Sequence, residues 1–220
     1  MIRKVVTRSP HREVGIVNAG WLLEHPVEHE SHLEKRFVMV ALSCPVVIDI
    51  KHQPIEVMLG DAHDQKYTPD FEVAYHDGQT AIVEVKPEVF LEEAKPKLDQ
   101  ARAYFSALGR RYLVITDKQV DANGLSARAL LLMRYGRLGL DEAAALECKQ
   151  LLDNRFNGSA HVRDLMNRGV SEALVWSMVA RHQLQMPAGL NVNPNEKVTT
   201  NNSTGDCHDF FLEWLGITQG

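Results

Sequence analysis

Asp70, Glu84 and Lys86 fall within one short stretch, "YTPDFEVAYHDGQTAIVEVK", running from Tyr67 to Lys86. Two acids and an ammonium among valines and isoleucines need a reason, because charge near an apolar core is costly unless paired. The stretch reads as two strands around Asp77-Gly78, a pair that tolerates the positive φ of a type I′ turn. Side chains alternate across a strand, so Glu84 and Lys86 project from one face. Asp70 opens the adjacent antiparallel strand, and a register that buries both apolar sets brings it beside Glu84. Two carboxylates there would form a site for a hard divalent cation such as Mg2+, which takes a few carboxylate oxygens together with waters and substrate phosphate. Lys86 would orient the attacking water or stabilise charge developing on a phosphate. This is a layout for metal-assisted phosphodiester hydrolysis. An E-x-K pair in a strand more often marks a solvent-exposed charge pair. Asp70 after a proline, and the apolar Val83 and Val85 on the opposite face, favour the chemical reading.

Further elements must position these residues. The spacing of Leu33, Phe37, Val40 and Ala41 predicts a helix over about 28–43, closed by Ser43 and Pro45. Glu30 and Glu34 stand at i and i+4 and would share one face of it, so either could supply a further acid; periodicity does not choose between them. The next segment, "VVIDIKHQPIEVMLG", predicts strands interrupted by Pro54. After Lys86 the period changes: Leu98, Ala101, Phe105 and Leu108 form a helical stripe, with Gly109 at the C-cap. "RRYLVITDK" then reads as a buried strand. Strand, helix and strand at this spacing make a βαβ unit, which sets Val83–Lys86 parallel to Leu113–Thr116. Residues 1–118 are therefore expected to be α/β, a mixed sheet flanked by helices.

From about Gln119 the chain turns helical. A short helix from about Ser159 to Asn167, Gly169, and a second helix capped by Ser171 make a helix-turn-helix pattern, with "LQMPAGLNV" as a possible wing. This small helical, winged-helix-like unit, residues 119–186, would bind DNA or dock protein. Residues 187–208 are rich in Asn, Thr, Gly and Pro and read as a linker. The closing "DFFLEWLGI" is either a docking segment for a partner's groove or a tail that folds back on its own core. Residues 187–220 thus form a third unit.

A net charge of −5 advertises no global basic field, although local patches rather than totals set phosphate contacts. Basic residues do gather early, where Arg3, Lys4, Arg8 and Arg12 face Glu13. Cys44, Cys148 and Cys207 are scattered and read as reduced thiols. No signal peptide and no apolar run of about 20 residues is seen, so a cytoplasmic protein with no membrane contact is expected.

The succession "ESHLEKRF", "IKHQP", "YTPDFEVAYHDG", "IVEVKPE" and "LVITDK", after the basic "TRSPHREVG", resembles the TnsA family, the endonuclease subunits of heteromeric cut-and-paste transposases. The resemblance covers roughly residues 3–118 and, more loosely, the helical region to about 185. It implies a PD-(D/E)xK, restriction-endonuclease-like core followed by a helical, winged-helix-like domain. It also implies that a DDE transposase cuts the 3′ ends of the element while this chain cuts the 5′ strands. Carried over by position, the helix acid falls on Glu34, the strand acid on Asp70, and the E-x-K pair on Glu84 and Lys86. Some relatives carry Gln at the position of Glu84, and Glu30 has no firm counterpart. The resemblance implies one or two Mg2+ ions, with Mn2+ as a substitute, held by Asp70 and Glu84 with Glu34 assisting. Implied partners are transposon-end DNA, the DDE transposase, and an AAA+ regulator contacting the C-terminal region. Two other functions fit the same residues: a stand-alone restriction or repair nuclease, and a non-catalytic bridging subunit.

Overall fold

The computed structural model describes residues 14–60, 65–200 and 205–217. The basic residues Arg3, Lys4, Arg8 and Arg12 lie outside them. The first described elements are a ribbon of β1 (Gly15–Val17) and β2 (Val27–His29), paired antiparallel. Helix α1 (His32–Ser43) follows, starting four residues later than its apolar spacing suggests. Two local facts set that start: β2 occupies Val27–His29, and the Ser31 hydroxyl accepts the backbone N–H of Glu34 as an N-cap. The inward face of α1 carries Leu33, Phe37, Val40 and Ala41, all buried.

Strands β3 (Val47–His52), β4 (Val57–Leu59), β5 (Gln65–Tyr67), β6 (Phe71–Tyr75) and β7 (Thr80–Val85) come next. Helix α2 (Leu91–Ala107) and strand β8 (Arg111–Ile115) complete the α/β part. The central sheet has the order β3-β6-β7-β8; its first two pairings are antiparallel and β7–β8 is parallel. The parallel pair is the βαβ unit read from the sequence, with Val83 opposite Leu113. Gly109, at φ +67, ends α2 one residue past the Leu108 cap. β4 and β5 form a separate antiparallel ribbon.

Alternation along β7 sorts its side chains between two cores. Ala81, Val83 and Val85 join the main cluster with α1, while Ile82 packs with Val57, Leu59, Tyr67, Ala101 and Phe105 beneath α2. A mixed sheet with helices on both faces is a restriction-endonuclease-like arrangement, with a helical region following it.

That region contains α3 (Asp117–Val120), α4 (Leu125–Gly136), α5 (Glu142–Phe156), β9 (Ser159–His161), α6 (Val162–Met166), α7 (Glu172–Ala180), β10 (Lys197–Thr199) and α8 (Cys207–Trp214). Ser171 caps α7 as expected, but Val175 to Ala180 are buried without interruption. The helix is a core element over that span, while Glu172, Ala173 and Leu174 in its first turn are exposed or half-buried. Beside it lies a ribbon in which β9 pairs with β10, and Gln185 of the expected wing segment bridges to Thr199. One buried cluster runs from Val17 to Leu215, joining the sheet to these helices. The three cysteines are free and buried. No described helix is long and apolar enough to cross a membrane.

The aromatic tail takes the second of its two expected courses. Asp206 caps α8 by accepting the N–H groups of His208 and Asp209. Phe211 then packs 5.6 Å from the Tyr75 ring, and the Trp214 indole N–H donates to the Val40 carbonyl at 3.3 Å. Cys207, Phe211, Trp214 and Leu215 are all buried. Trp214→Ala should therefore lower unfolding free energy by about 3–5 kcal/mol, measured by urea denaturation. Wild-type stability in that variant would contradict the docked tail.

Candidate active site

The β6–β7 connection fixes the first carboxylate. Tyr75 N–H bonds to the Gln79 carbonyl, and Gly78 N–H bonds to the Tyr75 carbonyl. Gly78 sits at φ +84 while Asp77 is absent from the positive-φ residues. This is a three-residue loop with one left-handed glycine, not the two-residue type I′ turn expected, in which both central residues need positive φ. Asp77 instead accepts the Gln79 N–H through its side chain. The register that results pairs Phe71 with Val83. Continuing it by one residue sets Asp70 across from Glu84, on the face opposite the main core.

Asp70 is pinned from both sides. Its Oδ2 accepts the Val85 N–H at 2.7 Å, and its carbonyl accepts the Gln53 N–H at 2.8 Å. Glu84, 6% exposed, accepts the Tyr67 hydroxyl at Oε2 (2.8 Å) and meets Lys86 Nζ at Oε1 (3.2 Å). The lysine is only partly covered, so its ammonium can reach solvent or a ligand.

Glu34 arrives from the start of α1, also nearly buried. Its Oε2 accepts the Glu30 N–H at 2.6 Å and its Oε1 accepts the Ser31 hydroxyl at 2.9 Å. Both bonds belong to the helix N-terminus, where an acid is favoured by unpaired N–H groups and by the helix dipole. Glu30 does not share a helix face with Glu34, because it precedes the cap. Its carboxylate accepts from Gln53 Nε2 at 3.2 Å.

Electrostatics shows that these acids sense one another. Burial pushes the Asp70 carboxyl well above the usual range, and Glu84 and Glu34 push it further; the Val85 N–H and Lys86 oppose them. Burial likewise raises Glu34, with Glu30 and Glu84 adding and the Glu30 and Ser31 hydrogen bonds opposing. Three carboxylates thus lie close enough to perturb one another, and Lys86 bonds to one of them, Glu84. A like-charged cluster of hard oxygen donors, with one oxygen each of Asp70 and Glu84 engaged from behind, fits a hard divalent cation. Among the described residues, no three His, Cys, Asp or Glu side chains stand ready as a metal cage. Both Glu34 oxygens bond to the helix N-terminus. The fit therefore rests on Asp70 and Glu84, and the remaining positions are left to water and a phosphate.

Three residues at this site escaped the sequence reading as contributors. Gln53 adopts φ +45, a costly conformation for a non-glycine residue, and links Asp70 to Glu30. Its position before Pro54 gave no hint, since pre-proline residues favour extended backbone. Tyr67 and Tyr112 stand behind Glu84, their hydroxyls 2.7 Å apart. Burial, and next the Glu84 charge, push the Tyr67 phenol far up.

Comparison with known families bears directly on this segment. Residues 44–117 match the family model described as TnsA-like endonuclease N terminal. The matched segment is similar to a TnsA-like endonuclease domain. It spans about a third of the chain and runs from the end of α1 through β8. Gln53, Tyr67, Asp70, Glu84, Lys86 and Tyr112 all lie within the TnsA-like domain, whereas Glu30 and Glu34 precede it. No curated protein matches the chain. The match over this segment supports a nuclease of the transposon-associated kind.

The charge cluster has a measurable cost. An acid whose folded pKa is raised destabilises the fold as pH climbs from its unfolded to its folded value, and that penalty persists above it. In EDTA at pH 7.5, Asp70→Asn should therefore be more stable than wild type toward urea, because it keeps an acceptor for Val85 and removes the charge. The difference should shrink at pH 4. An Asp70→Asn variant less stable than wild type at pH 7.5 would contradict the mutual repulsion.

Proposed function

We propose that this protein is a Mg2+-dependent DNA endonuclease that cuts the 5′ strands at transposon ends, beside a DDE transposase that cuts and joins the 3′ ends. The observation that carries the reading is Asp70 set across from Glu84 with Lys86 in contact, inside a TnsA-like endonuclease domain. When bound, a divalent cation would neutralise scissile-phosphate charge and make a water acidic enough to attack. Asp70 and Glu84 would hold it, with Oδ2 of Asp70 and Oε2 of Glu84 already engaged by Val85 and Tyr67. Glu34 would assist through its charge or through a shared water.

Lys86 carries the next part. Its ammonium lies on the solvent side of Glu84, where it can hold the attacking water in line or donate to a non-bridging phosphate oxygen. Attack opposite the leaving 3′ oxygen would give a 5′-phosphate and a 3′-hydroxyl. Recognition of the DNA would come largely from partners: Leu125 to Leu184 carry eight Lys and Arg against six Asp and Glu, which supports few phosphate contacts. An AAA+ regulator would dock on the exposed surface of the C-terminal region, since the aromatic tail is already buried.

The test is cleavage of strand-labelled transposon-end DNA with Mg2+ and the partner transposase. Lys86→Ala and Asp70→Ala should each lower 5′-strand cutting by at least about 10²-fold and leave 3′-strand cutting in place. Undiminished 5′ cutting by either variant would overturn the site assignment. Robust cutting by the purified chain alone would instead favour a stand-alone nuclease.

A further inference from the structure

The hydrogen-bond partner of Glu84 is itself held by a second side chain. The Tyr67 hydroxyl donates to Glu84 Oε2 at 2.8 Å, and the Tyr67 and Tyr112 hydroxyls meet at 2.7 Å. A carboxylate only accepts, so the Tyr67 proton goes to Glu84 and the Tyr112 proton goes to the Tyr67 oxygen. The order of the chain is thereby fixed: Tyr112 to Tyr67 to Glu84.

The scaffold behind this chain is stiff. Tyr67 ends β5, where pairing with Val57 of β4 sets its backbone. Tyr112 lies in β8 at the register position of Ile82, one strand over from Glu84, and stacks on Phe105 at 5.6 Å with 10° between the rings. The Lys97 ammonium stands 5.2 Å over the Tyr67 ring. Residues from β8 and α2 thus pack behind Tyr67, which bonds the Glu84 oxygen other than the one that meets Lys86. With Oε2 held, the carboxylate cannot rotate freely, and Oε1 is left facing Lys86 and the space beside Asp70.

We propose that Tyr67 is a positioning residue for the divalent cation of the nuclease site, acting through Glu84 and held in turn by Tyr112. The proposal rests on the nuclease reading above. Its chemistry is that of an outer-shell donor: a hydrogen bond that orients a metal-ligating carboxylate contributes to affinity without touching the metal, and its removal typically weakens binding about 10–100-fold. A purely structural tyrosine pair would satisfy two buried hydroxyls and leave cation affinity unchanged.

The experiment is Mn2+ binding to the full chain without DNA, read by electron paramagnetic resonance of the free ion, with circular dichroism to confirm folding. Tyr67→Phe should bind Mn2+ at least about 10-fold more weakly than wild type, and Tyr112→Phe should lose less. In cleavage assays, Tyr67→Phe should raise the Mg2+ concentration for half-maximal rate more than it lowers the saturating rate. Asp70→Ala, run alongside, should abolish the site. If Asp70→Ala loses Mn2+ while folded Tyr67→Phe binds it as wild type does, the positioning role is overturned and the site stands. If Asp70→Ala binds Mn2+ as wild type does, the site reading itself falls and this proposal with it. Should Tyr67→Phe fail to fold, Tyr112→Phe carries the test, and wild-type affinity in it overturns the relay.

Discussion

The pairing of β6 with β7 forces two acids into a shared, mostly buried space, and the rest of the site is organised around that constraint. Backbone hydrogen bonds and the apolar set Phe71, Val73, Ala81 and Val83 fix the register. A slip of one residue would turn all of those side chains to the wrong face. Asp70 and Glu84 therefore cannot separate without losing the sheet. Their repulsion is offset locally by a backbone N–H on one carboxylate, and by a phenol and an ammonium on the other. Local strain of this kind persists where the surrounding fold over-determines it, and it concentrates at functional sites.

The surrounding elements divide the work. α1 brings Glu34 to the cluster and ties it to its own N-terminus, so that this acid caps a helix and adds negative charge at once. Gln53, in its left-handed conformation, connects Asp70 to Glu30 and so couples the end of β3 to the approach to α1. The C-terminal helices close the other side of the sheet. α7 is buried against its neighbours, and α8 inserts Phe211 and Trp214 against Tyr75 and α1. The helix that carries Glu34 is thus held at its far end by the tail, which makes the tail part of the scaffold for the acidic cluster.

The sequence carried much of this, and the reasons for its gaps are physical. Strand alternation is a strong signal when one face is apolar, so the placement of Asp70 beside Glu84 and the parallel β7–β8 pair could be read directly. The start of α1 could not be read from apolar spacing alone, since Val27 belongs to β2 and Ser31 is the residue that caps; Glu30 was misplaced for that reason. The tyrosine chain depends on where the β4–β5 ribbon lands and on a parallel register, both non-local. α7 offered a further signal: "ALVWSMVA" is largely apolar, the pattern of a helix whose later turns are buried. The aromatic tail gave only stickiness, and a sticky segment does not name its partner.

The most direct test of the central claim is anomalous diffraction from crystals of the wild-type chain grown or soaked with Mn2+. A hard cation held by Asp70 and Glu84 would give a peak between them, about 2.0–2.2 Å from one oxygen of each carboxylate, with Lys86 beside it. Ordered Asp70 and Glu84 side chains with no peak between them, or a peak at some other part of the molecule, would contradict the account.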